Sequence, residues 1–520
     1  MRGVARLQAW RQRHYDSGFI RAVHYFGDGW PINCWSTMTP QQARRDFATI
    51  AEDGFNTVIL VLPWRGFQVE QFPPRYEDAY FKLLKQLLKE AARAKLWVIL
   101  RVSYSHHICD EARLISKHLT AGFLTDAAFE APWLHYLRRL RRLTRFHANL
   151  YGSFICWEEF WHGLMRFTEE SQETRKALAA KTGYCDFMAD KESIIPLVSS
   201  PEFEHYQRFI NTRLRDIFEL GASQLPRLGY EFRVDKDPLH NLDGSVSWLA
   251  NDYLLDSSDT RYSYWAPFIG AANEGEQLSA EQALALLDYN LGEQTGQGRD
   301  RKLIIDQFNF VDDTFKYTGQ NARLALDQIP TFLDQCAEHL PRYCQGYGIW
   351  AWRDYHQNHL FNPGFHMGLR GWRSHGGVVG EGALTEDGLC LQEGDELGQD
   401  FGGASHGMHR KYKTGSAELH VYLAAPVQVM LEASLDGENY VPLMSDGGGS
   451  QHYCELPIDD PVYGARGALF RLRVQRGSGV IRSVSLFQYA YRVGIREVGG
   501  EAGPFLEPLR SLNQKLLSSS

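Results

Sequence analysis

Apolar runs of six to nine residues alternate with helix-length amphipathic stretches through the first two-thirds of the chain. FIRAVHYFGDGW (19–30) reads as a strand ending in aromatics. Thr39-Pro40-Gln41-Gln42 then supplies an N-cap, a proline at the first helical position and a capping-box glutamine. The helix stops at Gly54, and the β-branched run FNTVILVLPW (55–64) follows at once. Strand, helix and strand at this spacing predict one unit of a parallel sheet.

The unit repeats. Leu83, Leu84, Leu87 and Leu88 line one face of a helix over 76–94, ahead of a strand at 96–104. A long helix over 126–146 leads to a strand at 151–157. After a polar insertion (163–200) and a helix at 203–220, strands are expected at 227–234, 261–268, 302–310 and 346–352, with helices at 280–291 and 322–339. Eight strands alternating with helices is the pattern of an α/β (β/α)8 TIM barrel over 1–358. An open doubly wound sheet would need a Gly-rich phosphate turn after the first strand, and GDGWP is not one.

Beyond Asn358 the period changes. Short alternating runs at 417–424, 427–434, 468–475 and 480–489, with turns such as Asp436-Gly437, predict an all-β jelly-roll or sandwich domain over 361–495. Residues 496–520 are expected as a C-terminal tail carrying one helix, Leu506–Leu517.

Composition adds exclusions. The 520 residues exceed one core, and the net charge of −8 gives no basic face for nucleic acid. No run reaches the length of a membrane span, and the N-terminus lacks the apolar segment of a signal peptide. The 8 cysteines are scattered, without a CxxC pair, as expected of reduced, mostly buried thiols. These features fit a cytoplasmic protein, or a periplasmic or secreted one if a leader was removed.

The chemistry concentrates at predicted strand ends. YGSFICWEEFWH (151–162) passes from a buried strand directly into Glu158-Glu159, and carboxylates delivered at the C-terminal edge sit where a barrel keeps its active site. Asp306 and Gln307 lie near the end of the seventh strand and Glu231 near the end of the fifth. Trp30, Trp64, Trp161, Trp265, Trp350 and Trp352 are candidate stacking platforms or core residues. His106, His107, His162, Tyr264 and Arg353 are candidate polar contacts, and Arg101 a candidate buried partner for a carboxylate. His106, His107 and Asp110 give only a weak metal-site signal, because no further ligand is spaced to complete it, and no organic cofactor is expected.

With these residues in place, the first 355 residues resemble the retaining glycoside hydrolases of clan A, the cellulase and β-mannanase type of barrel. TPQQARRDFATIAEDGFNTVILVLPW looks like their first helix and second strand, and GYGIWAWRD is similar to their eighth strand with its substrate-facing Trp. SFICWEEF looks like their fourth strand, which ends in Trp-Asn-Glu-Pro or Trp-Glu-x-x-Asn-Glu-Pro. The first form implies Glu159 as general acid/base and Glu158 in place of a sugar-binding Asn. The second puts Trp161 and His162 in those two places.

KLIIDQFNF resembles the seventh strand, and its alignment puts Gln307 where the family carries its nucleophile. Asp306 should point to the opposite side by alternation, unless a bulge re-aims it. FNPGFHMGLRGW and SLDGENYVPL are similar to segments of carbohydrate-binding jelly rolls. The resemblance implies hydrolysis of a β-linked oligo- or polysaccharide by Glu159 with Asp306 or Glu231. The alternative is a glycan-binding or polysaccharide-assembly accessory protein on a degenerate barrel, which Gln307 favours.

Overall fold

The computed structural model describes residues 18–27, 29, 34–104, 127–156, 166–232, 237–240, 246–249, 260–267, 275–295, 302–311, 322–358, 360, 362–369, 371–375, 379–380, 383–385, 387–400, 417–425, 427–445, 451–456 and 469–518. Eight parallel strands close a barrel: β1 (Ile20–His24), β2 (Thr57–Pro63), β3 (Trp97–Tyr104), β4 (Leu150–Cys156), β5 (Leu228–Phe232), β6 (Thr260–Trp265), β7 (Lys302–Phe308) and β8 (Gly346–Ile349). Each pairs with its sequence neighbours, and β8 closes on β1 with Ile20 opposite Gly346.

The helices around it are α1 (Pro40–Glu52), α2 (Asp78–Arg93), α3 (Glu130–Thr144), α4 (Phe203–Ala222), α5 (Ala280–Thr295) and α6 (Ile329–Tyr343). Local chemistry sets their ends. Thr39 caps α1 by accepting a hydrogen bond from the Gln42 N–H at 3.2 Å, and Gly54 ends the turn at φ +87°. The expected helix over 322–339 begins instead at Ile329, where a proline occupies the first turn. After β5 the chain forms a short antiparallel hairpin (237–240 with 246–249).

Two apolar layers fill the barrel. Ile20, Ala22, Ile59, Trp97, Ile99, Phe154, Cys156, Tyr262 and Ile304 pack inside it. The intervening residues face the helices and join the larger core. Gly152 admits the Tyr262 side chain across the interior: a Cβ there would lie 3.2 Å from the Tyr262 hydroxyl oxygen. Tyr262 stacks on Phe154 at 4.4 Å.

The β-sandwich follows β8. One antiparallel sheet orders its strands 384–385, 388–392, 478–491, 417–425, 451–456, with 355–358 also beside 478–491. The other runs 373–375, 396–400, 469–476, 428–434, 441–445. Leu389, Leu397, Val421, Leu431, Phe470 and Ile481 lie fully buried in its core.

The segment expected as a tail returns to the barrel. Its helix α7 (Leu506–Ser518) packs on α6, and Leu506, Leu509, Leu512 and Leu516 belong to the barrel core. Asn513 is fully buried, accepts from the Tyr347 hydroxyl of β8 and donates to the Asp53 carbonyl at the end of α1. Flanked by α6 and α1, α7 fills the position of the barrel's eighth helix. Among the described residues no helix is long and apolar enough to cross a membrane.

Candidate active site

The interior strand positions that are apolar lower in the barrel become polar toward its C-terminal end. On β1 the inward series Ile20, Ala22 continues to His24; on β3, Trp97 and Ile99 continue to Arg101 and Ser103. On β4 the series ends at Cys156, whose register partner on β5 is Glu231. On β7, Ile304 is followed by Asp306. All these polar side chains are buried.

The β6–β7 pairing carries the irregularity on which Asp306 depends. Ser263 faces Ile305 and Tyr264 faces Gln307, so Asp306 is skipped in the register. Ile305 and Phe308 both pack outward, and the extra residue leaves Asp306 and Gln307 both on the barrel's inner side. This irregularity is the bulge without which alternation would have separated the two side chains. Gln307 Nε2 donates to Glu231 Oε2 at 3.5 Å, and Tyr264, half-buried, lies beside Gln307.

Asp306 and Glu231 form a carboxyl pair. Neither Asp306 oxygen has a donor of ordinary hydrogen-bond geometry among the described residues. Burial pushes the Asp306 carboxyl well above the usual carboxylate range, and the Glu231 charge pushes it further. Arg101 opposes both with its positive charge. Two carboxyls side by side hydrogen-bond to each other only when one carries a proton, so their proximity favours the protonated form of Asp306.

Arg101 is 1% exposed and Nη2 lies 3.0 Å from Cys156 Sγ. Its guanidinium carbon lies 5.2 Å from the Tyr104 ring centre and 5.7 Å from that of Trp350. Ser103 Oγ accepts the Cys156 N–H at 3.1 Å and so ties the ends of β3 and β4.

His24 completes the group and carried no signal in the sequence beyond its place at a strand end. Its Nδ1 lies 3.2 Å from the Ile349 carbonyl, which accepts only, so Nδ1 bears the proton. Burial, then the Arg101 charge, hold the ring well below its usual pKa and therefore neutral. Trp350 lies 4.8 Å away, half-buried, with its indole N–H donating to the Tyr355 hydroxyl at 2.9 Å.

The expected site residues thus separate. Glu231, Asp306, Gln307, Tyr264 and Trp350 converge at the C-terminal end of the barrel. Three expected contacts are corrected. Trp64 is 1% exposed, packs on Trp133 at 4.8 Å and donates to Gln68, which places it between barrel and helices. Trp352 is buried outside the barrel and donates to Asp53 at 3.1 Å. Arg353 is spent on Asp46 at 2.9 Å and on the Gly27 carbonyl. Trp265, the remaining stacking candidate on β6, packs outward on Phe308 and Phe332. Glu158, Glu159, Trp30, Trp161, His106, His107 and His162 lie outside the described residues. Among the described residues no cluster of His, Cys, Asp or Glu has the makings of a metal site.

No family model matches the chain, and no curated protein matches it. Solved structures similar to it include a GH5_18 protein from Streptomyces cattleya in complex with Manβ1-4GlcNAc, at 14% identity and a TM-score of 0.43, covering 65% of this chain and 72% of that one. The exo-β-1,4-mannosidase Op5Man5 from Opitutaceae bacterium strain TAV5 is 13% identical with a TM-score of 0.41, over 65% of this chain and 53% of its own, so this chain spans about half its length. The endo-1,4-β-mannanase from Rhizomucor miehei is 11% identical with a TM-score of 0.38, over 64% of this chain and 86% of its own.

Proposed function

We propose that the chain is a glycoside hydrolase acting on β-linked oligo- or polysaccharide at the C-terminal mouth of its barrel. The observation that carries the reading is the buried Asp306–Glu231 carboxyl pair, in which each group disfavours ionisation of its neighbour, at the end of the barrel where such folds perform chemistry. Glycosidic hydrolysis needs one carboxyl to protonate the leaving oxygen and one carboxylate to stabilise or attack the sugar carbon. Glu159, three residues beyond the end of β4, takes the general acid/base role in this proposal. The ionised member of the pair supplies the second carboxylate. Trp350 offers an aromatic face for the sugar ring.

The bond from Gln307 to Glu231 favours a second reading, a barrel that binds glycan without cleaving it. Release of reducing ends from β-glucans, mannans, xylans and galactans separates the two. Glu159→Gln, Glu231→Gln and Asp306→Asn should each lower turnover by about 10²–10⁴-fold while sugar binding persists. Binding without release in the unsubstituted protein establishes the second reading.

A further inference from the structure

His24 has no role in the chemistry above, yet its surroundings define one. It ends β1 on the inner face, and its ring lies 4.8 Å from Trp350 and 5.9 Å from Phe26. With Nδ1 committed to the Ile349 carbonyl, Nε2 is left as an acceptor, fully buried and with no hydrogen-bond partner among the described residues. A buried acceptor in that condition costs on the order of a lost hydrogen bond unless something supplies a donor.

The donor's chemistry is constrained from two sides. Arg101, whose charge reaches the ring, disfavours a cation or a metal ion at Nε2. A fully deprotonated anion has no hydrogen to offer an acceptor. What remains is a neutral O–H or N–H, presented next to the half-buried indole of Trp350. A sugar ring combines an apolar face for the indole with hydroxyl donors at its edge.

We propose that His24 is a substrate-contact residue of this barrel: its Nε2, buried at the end of β1 beside Trp350, accepts a hydrogen bond from a hydroxyl of the sugar seated at the mouth. This rests on the carbohydrate reading above and deepens it. The imidazole acts as a neutral acceptor and transfers no proton, so its loss acts on affinity and hydroxyl selectivity before it acts on the chemical step.

The test uses the full chain with Glu231→Gln as background, so that binding is measured with turnover suppressed. Calorimetry against β-1,4-linked disaccharides of glucose, mannose and xylose identifies a bound sugar, and its monodeoxy analogues are then titrated. One analogue should bind about tenfold more weakly than its parent. His24→Phe should bind parent and that analogue alike, and His24→Gln, which keeps an acceptor, should restore part of the discrimination. Melting temperatures of both variants are read alongside; if His24→Phe fails to fold, the Gln variant and the wild-type analogue series still decide. Equal discrimination in all three proteins, the result expected if Nε2 merely holds a buried water, overturns the role of His24. If no disaccharide or longer oligosaccharide of the series binds, it is the carbohydrate reading that falls.

Discussion

At the scale of the residue, Asp306 is the most exposed to a simple electrostatic test. Its carboxyl is fully buried beside Glu231, and its pKa is raised by burial first and by Glu231 second. A carboxyl whose folded pKa lies above its unfolded value contributes stability that is full below the unfolded pKa. That contribution is lost as pH rises through the folded one. Urea midpoints of the wild type should therefore fall as pH is raised above the ordinary carboxylate range of about 4. Asp306→Asn, which cannot ionise, should lose that slope; an unchanged slope would remove Asp306 as the proton's owner. Asp53 has the opposite sign. Burial raises its pKa, but hydrogen bonds from Arg496, Trp352 and Arg510 outweigh that and hold it low. Its contribution is present at neutral pH and disappears only as pH falls through the depressed value. Asp53→Ala removes the carboxylate partner of the buried Arg496 guanidinium and one of two partners of the part-exposed Arg510, and should cost about 3 kcal/mol in chemical denaturation at pH 7.

At the scale of the element, β8 places the bulge. Gly348 stands inside the barrel, where a Cβ would lie 2.8 Å from the Asp306 carbonyl oxygen, 2.9 Å from Ile59 Cδ1 and 3.3 Å from Ala22 Cβ. The first contact is with the backbone of the bulged residue itself and has no rotamer to relieve it. Gly348→Ala should cost about 1–3 kcal/mol and displace Asp306, lowering turnover more than a core substitution elsewhere of equal cost. Comparing urea midpoints with turnover for Gly348→Ala and for a distant core variant checks this. The strand itself was easy to read from GYGIWAW, as was α1 from Thr39, Pro40 and Gly54, because those signals are local. Which face each residue occupies was not. Parallel strands are apolar on both sides, so Trp64, Trp265 and Trp352 read like Trp350 in sequence although they pack outside the barrel. The bulge that turns Asp306 and Gln307 to one side is equally silent, since it depends on the pairing of β7 with β6. His24 looked like one more strand residue, its distinction lying in Ile349 and Arg101, far away in the chain.

At the scale of the whole molecule, the sandwich is threaded into the barrel, between β8 and the helix that closes the ring. The chain leaves and re-enters at adjacent points: Ala351 donates to the Val493 carbonyl at 3.1 Å, Arg496 to that of Trp352 at 3.2 Å and Asp354 to that of Arg496 at 2.8 Å. Tyr355 and Tyr491 are antiparallel partners with their rings stacked at 5.1 Å. Partners so placed have Cα atoms about 5 Å apart, a gap that a tight turn of two to four residues spans. The C-terminal helix, in contrast, buries Leu506, Leu509, Leu512 and Leu516. At about 1.5–3 kcal/mol for each side chain, these four contribute roughly 6–12 kcal/mol, comparable to the whole stability of a domain. Two deletions should therefore have opposite outcomes. Replacing 357–489 by a four-residue Gly/Asn turn should leave a cooperatively folding barrel that keeps its pH dependence at Asp306, although it removes 133 residues. Ending the chain at residue 505, which removes only 15, should leave a protein without a cooperative unfolding transition. Circular dichroism and urea melts of the two proteins decide it. A stable truncation at 505 would show that α7 is an ornament on a barrel complete without it, and collapse of the turn variant would make the sandwich part of the barrel's own folding unit.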